Sequence, residues 1–142
     1  MPSNFTEHFQ LNQWEPGDQV KREDFNADNR KIDAAVNART RMVVGSYKGT
    51  GKYGPDNPNV IEIADAERPP QVIVVLDERG FYRAVLVRGM RQYCVYLANN
   101  QGHWINVTWT DKGASWYSTE AGYYQLNNSE QGYNNFYYAV FI

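Results

Sequence analysis

The spacing of apolar and polar positions changes twice along the chain, and each change marks a different kind of element. In residues 1–20, Phe5, Phe9, Leu11 and Trp14 stand among Asn, Gln and Thr with no helical or strand period, and Glu15-Pro16-Gly17-Asp18 breaks the run. Such a stretch is too sticky for a free tail and too irregular for a core element, which predicts an arm that docks on another surface, of this chain or of a second one.

Residues 21–41 are different. From Arg22 to Thr40 the chain lacks Gly and Pro and is rich in helix formers, with Glu23 and Asp24 at the start and Arg39 and Arg41 at the end, the polarity that a helix dipole favours. This predicts a single α-helix. Its apolar set is thin: Phe25, Ile32 and Arg39 share one heptad spacing, and Asn29, Val36 and Val43 share another. So narrow a seam packs poorly on a globular core but can meet identical copies of itself, with Phe25, Asn29, Ile32 and Val36 along the seam and Asn29 fixing register. A lone helix leaning on a sheet fits the same pattern.

From Met42 the period becomes that of strands. Short apolar runs at Val43–Lys48, Val60–Ile63, Val72–Leu76, Tyr82–Val87, Tyr93–Leu97, Trp104–Thr110, Ala114–Tyr117 and Asn135–Phe141 alternate with turn residues, and predict an antiparallel β-sandwich or barrel over residues 42–142. Glu78-Arg79-Gly80 and Asp111-Lys112-Gly113 read as hairpin tips with glycine in the left-handed position, and Asn99-Asn100-Gln101-Gly102 as a further turn. Alternation assigns faces: Ile105, Val107 and Trp109 point inward while Trp104, Asn106 and Thr108 point outward. Arg83, Val85 and Val87 share one face, and Tyr82, Ala84, Leu86 and Arg88 the other. The last strand is apolar on both faces, which predicts that it is central or covered by a neighbouring subunit. The fold class is therefore mainly β, with an extended N-terminal arm and one helix ahead of the β domain.

Composition narrows the possible functions. The 142 residues carry 14 Lys+Arg against 16 Asp+Glu, a formal net charge of -2, so no cationic excess exists to hold a nucleic acid. No apolar run approaches the ~20 residues that span a bilayer, and no charged segment followed by an apolar one opens the chain, so neither membrane insertion nor a signal peptide is expected. The single cysteine, Cys94, lies in an alternating apolar stretch and reads as a small buried hydrophobe.

Chemistry-bearing patterns are scarce. Two histidines, His8 and His103, cannot form a histidine metal cluster and lack metalloprotease spacing, so no metal or cofactor is expected. Asp56, Asp65, Glu67, Asp77 and Glu78 fall at turns or strand ends, where carboxylates are normally solvated. Gly49-Thr50-Gly51-Lys52 follows a strand without opening a helix and reads as a turn, not a phosphate loop. No catalytic motif is present, and the chain is not expected to be an enzyme. Aromatic residues, in contrast, make up 15% of the chain, with 11 Tyr and 4 Trp, although the mean hydropathy is a polar -0.66. Between Trp104 and Tyr133 the rings alternate with amides and hydroxyls. Flat rings beside neutral hydrogen-bonding groups suit a sugar, whose C–H faces stack while its hydroxyls are bonded. Trp104, Asn106, Trp116, Tyr117, Tyr123, Tyr124 and Asn127 are the candidate ligand residues; packing within or between subunits would use the same composition.

Two sets of segments carry a family resemblance. Leu11-Asn12-Gln13-Trp14-Glu15-Pro16-Gly17-Asp18, then Arg22-Glu23-Asp24-Phe25-Asn26-Ala27-Asp28-Asn29 and Lys31-Ile32-Asp33-Ala34-Ala35, resemble the opening segment of phage and prophage tail fibre and tail appendage proteins of Gram-positive hosts. Val44–Gly51, Asn57-Pro58-Asn59, Val72–Val75, Ser115–Ser118, Gln125-Leu126-Asn127 and Tyr137–Phe141 resemble their small C-terminal β domain. The resemblance implies a homotrimeric virion protein: an arm (Phe5, Phe9, Leu11, Trp14) on other tail or baseplate proteins, a short three-helix stalk, and a β-sandwich tip similar to H-type lectins that touches a host-surface glycan. A free lectin-like module, or a tail plug or collar protein without receptor binding, are the alternatives. The near absence of a shaft between helix and tip departs from the family pattern and bears on that choice.

Overall fold

A computed structural model describes residues 1–90 and 102–142, together with the backbone of residues 92–96. The reading of Cys94 as a buried hydrophobe, and the turn expected at Asn99-Asn100-Gln101, lie outside the described residues, as does Leu97 at the end of its expected strand. The chain forms two compact units, Met1–Thr40 and Arg41–Ile142. Arm and helix thus belong to one unit.

In the first unit, β1 (Asn4–Phe5) pairs antiparallel with β2 (Asn12–Gln13), a short hairpin that the irregular spacing of the arm did not reveal. Side chains tie it down. Asp18 accepts from the Ser3 hydroxyl at 2.6 Å and from the Ser3 and Glu15 N–H groups, and these bonds hold its carboxyl below the usual range. Helix α1 (Arg22–Asn37) receives the hairpin on its polar side: the Asn12 N–H reaches the Asp28 carboxylate at 3.0 Å, the Asn12 amide donates to the Asp24 carbonyl, and Lys31 donates to the Gln10 carbonyl.

The adjoining side of α1 is left open, with Phe25 60%, Ile32 44% and Val36 60% exposed and no residue of the helix buried. The helix ends three residues earlier than its composition suggests. Arg39 and Arg41 therefore do not sit in its last turn, because Arg41 is already committed to a strand ladder, exchanging N–H···O bonds of 3.0 and 2.8 Å with Ile142. Its guanidinium pairs with Asp65 at 2.7 Å, which lowers the Asp65 pKa.

The second unit contains β3 (Met42–Lys48), β4 (Asn59–Glu62), β5 (Val72–Asp77), β6 (Arg83–Val87), β7 (Gln92–Tyr96), β8 (Gly102–Trp109), β9 (Gly113–Tyr117) and β10 (Asn135–Phe141). Every strand predicted beyond Met42 is present. All pairing is antiparallel, in the order β3-β10-β5-β6-β7-β8-β9-β4. Between β6 and β7 the pair given by the described residues is Arg83↔Tyr96. The strands share one core, to which Ile61, Ala114 and Trp116 come from one end of the strand order and Ile73, Leu86, Phe136 and Val140 from the other. Each large side chain so buried contributes about 1.5–3 kcal/mol.

The faces follow the predicted alternation. Ile105 and Val107 are buried and Trp104 and Thr108 exposed; Ala84 and Leu86 are buried while Val85 and Val87 face outward. Strand β10 is internal, between β3 and β5. Its outward residues complete apolar rungs: Met42–Phe141–Val72, Val44–Ala139–Val74–Val85, and Leu76 beside Tyr137.

Of the two expected hairpin glycines, Gly80 is left-handed, with φ 71°. Gly113 is not. It begins β9 at the point where a Cβ would lie 1.8 Å from the Ile61 carbonyl oxygen, so glycine is required by the close approach of β4, while the Thr110 hydroxyl accepts from the Lys112 and Gly113 N–H groups to hold the turn. Gly113→Ala is expected to lower the unfolding free energy by about 3 kcal/mol in urea denaturation. Gly17→Ala, which meets nothing within 4 Å, should leave the midpoint where it was.

Candidate functional site

The candidate ligand residues separate into three places. Trp116 and Asn127 are buried, at 1% and 7% exposure, and hold the fold together. The Trp116 indole N–H donates to the Gln125 carbonyl at 2.8 Å. Asn127 accepts from the Thr50 N–H at 3.0 Å and donates to the Thr50 hydroxyl and the Lys52 carbonyl. Sequence composition cannot separate these two from surface rings and amides, because a buried amide with every bond satisfied has the same residue type as an exposed one. The same bonds occupy the loop at Gly49-Thr50-Gly51-Lys52: the Gly49 N–H goes to the Asn134 carbonyl and the Gly51 N–H to the Asn127 carbonyl, each at 2.7 Å. These amides are spent internally and do not cradle an anion.

Trp104, Asn106 and Tyr117 lie on the outer face of β8 and β9, where Asn106 stands opposite Tyr117 in register and Trp104 is 65% exposed. Tyr123 and Tyr124 lie elsewhere, on the turn that follows β9, and there they join residues not among the sequence candidates.

Those turn residues belong to a row of rings. His103, at the start of β8, stacks on Tyr124 with centroids 3.5 Å apart, and its ring nitrogen Nδ1 lies 3.1 Å from a Glu120 carboxylate oxygen. Tyr124 meets Tyr123 edge-on at 4.2 Å, and Tyr123 lies 6.3 Å from Tyr82. Next to Tyr82 in the chain, Phe81 stacks on Tyr133 at 6.0 Å, and the Arg79 guanidinium lies 4.3 Å above the Tyr133 ring while donating to its hydroxyl at 2.9 Å. The β5–β6 hairpin, the start of β8 and the segment before β10 converge on this row. Tyr123 and Phe81 present open ring surface, at 39% and 41% exposure.

Charge and burial tune the row. Partial burial raises the Tyr82 phenol, and the Asp77 carboxylate adds to that shift. Asp77 is itself buried, with one carboxylate oxygen accepting from the Tyr82 N–H at 3.1 Å and the other without a partner among the described residues. The hydrogen bond to Tyr123 favours the neutral form of Tyr124 and pushes its phenol up to about 12. The row therefore offers neutral rings and hydroxyls, framed by Glu120 at one end and Arg79 at the other. Tyr82, Phe81 and Arg79 could have been found in sequence only as a hairpin tip unusually rich in rings. The fold alone brings that tip beside residues 103 and 123–133. Among the described residues, no three His, Cys, Asp or Glu side chains gather as a metal site, and no helix is long and apolar enough to cross a membrane.

Two measurements check this account. Gln125, whose side chain accepts from the Gly54 and Ser118 N–H groups and donates to the Asn57 carbonyl at 2.6 Å, is expected to cost about 3 kcal/mol or more on replacement by Leu, because several buried groups lose partners together; equilibrium urea unfolding reads this. In a spectrophotometric titration one tyrosine should ionise near pH 12, later than its ordinary value of 10.0, and Tyr123→Phe should bring that transition back down. The sign follows from the raised folded-state value: whatever stability this bond supplies is present below pH 10.0 and is lost as the pH rises toward 12. The chain matches no family model, no curated protein and no solved structure.

Proposed function

We propose that this chain is a non-catalytic structural protein of a phage tail, a homotrimeric fibre or appendage whose β unit recognises a glycan on the host surface. The observation that carries the recognition half is the ring row: contiguous aromatic faces, two of them open, with phenol, imidazole, carboxylate and guanidinium groups at their edges. Stacking on such rings is insensitive to charge, and the flanking polar groups give directional bonds to hydroxyls, so neutral or weakly charged sugars are the class that fits. The β8–β9 face with Trp104, Asn106 and Tyr117 is a second, smaller patch of the same chemistry.

Self-association is supported by α1. The hairpin consumes its polar side, and Phe25, Asn29, Ile32 and Val36 remain exposed at the spacing by which helices meet their own copies. The phage setting rests on the resemblance of the N-terminal and β segments. In that setting Phe5, Phe9, Leu11 and Trp14 contact other tail components, and the chain resides in the virion.

Light scattering on the full chain should give about three times 16.4 kDa, and Ile32→Asp should weaken that assembly. Host cells or purified wall glycan should bind the protein, with Tyr123→Ala together with Phe81→Ala reducing affinity by about 10-fold or more while thermal stability stays within about 1 kcal/mol. No reducing ends should be released from the glycan. A trimer that binds no host glycan would favour the plug or collar role over host recognition.

A further inference from the structure

The outer face of the strands β3-β10-β5-β6 is apolar apart from Ser46, Lys48, Arg83 and Asn135, and its apolar side chains stand exposed. Its rungs present Val44 at 68%, Val85 at 55% and Tyr137 at 51% exposure, with Val74 and Ala139 between them, and a shallow groove of about 410 Å³ runs beside Leu76. An antiparallel sheet that faces water normally alternates apolar and polar residues; here three of the four strands are apolar on both sides.

We infer that this face is an interface between copies of this chain. Three observations select a second copy as the occupant. The first is extent: Met42, Val44, Leu76, Val85 and Tyr137, between 41% and 68% exposed, adjoin across four paired strands as one apolar patch of the kind that monomers rarely leave open. The second is charge. The two cations of the face, Lys48 and Arg83, lie on its outermost strands β3 and β6, and the Val44–Ala139–Val74–Val85 rung carries no charge, so an identical face offers apolar surface to apolar surface. The third is connectivity. Only residues 38–41 separate the open stripe of α1 from β3, so chains joined along that stripe hold their β units within about 14 Å of chain reach, at high effective concentration. The inference rests on the self-association in the proposed function and is independent of its glycan.

Sedimentation of the full-length chain tests it in the Ile32→Asp background, where the helix contributes least. V44K/V85K places a lysine at each end of one outward rung, on β3 and on β6, and is expected to weaken the remaining self-association on the order of 100-fold. T108K, at an outward position of β8, is expected to change nothing. Should V44K/V85K lose its cooperative melt, the near-isosteric V44T/V85T takes its place, with a weakening of several-fold expected. An Ile32→Asp chain that is monomeric at high micromolar concentration overturns the inference, and so does one whose assembly the face variants leave unchanged. Loss of glycan binding in the ring-row variants with assembly intact would leave it standing.

Discussion

The β unit is closed by side-chain amides where backbone pairing stops. Strands β3 and β4 stand at opposite ends of the strand order and do not pair, yet the Tyr47 hydroxyl on β3 and the Asn59 amide on β4 lie 3.2 Å apart, and both donate to the Leu126 carbonyl. Gln125, Leu126 and Asn127 fill the gap between them. Their carbonyls and amides take up donors from β3, β4, β9 and the loops after β3, and Leu126 holds a left-handed φ of 61° while its side chain enters the core. A leucine in that conformation costs about 1–2 kcal/mol, which the network and the burial of its side chain offset. Burial at this junction also pushes the Tyr47 phenol far up, so it acts there as a neutral donor.

This closure decides the fate of the aromatic residues. With the two ends of the sheet drawn together, Trp116 and Phe136 both enter the core, Tyr47 stacks on Phe136 at 5.1 Å, and the segment from residue 118 to 134 is pinned to the loop after β3. The rings on that segment cannot reach the core. They collect instead with the β5–β6 hairpin and His103 into the row offered as a glycan surface. Recognition, on this view, is a consequence of how the unit is closed.

A second consequence concerns what is left uncovered. Helix α1 turns its Asp24–Asp28–Lys31 side toward its own N-terminal hairpin, and both its Phe25–Ile32–Val36 stripe and the outer face of β3-β10-β5-β6 leave apolar side chains exposed. Both surfaces carry apolar side chains at regular spacing, and both suit contact with an identical chain.

Local spacing alone determined a good deal. The period-two runs located each strand after Met42 to within a residue or two, and the alternation put Ile105 and Leu86 inside and Trp104 and Val85 outside, because side-chain direction in a strand is a property of neighbouring residues. The absence of Gly and Pro located α1. What spacing could not determine was anything that depends on residues far apart in the chain: that Trp116 and Asn127 are structural while Tyr123 is open, that Gly113 is needed for the approach of Ile61, or that Phe81 and Tyr82 meet Tyr133 and Tyr123. The two-residue pairing of β1 with β2 escaped for the same reason, being held by Asp18 and Asp28 and not by its own period. Which rings form a core and which form a surface is settled by the long-range amide bonds that close the sheet. A tyrosine or tryptophan has the same composition and spacing in either place, and only its tertiary neighbours differ.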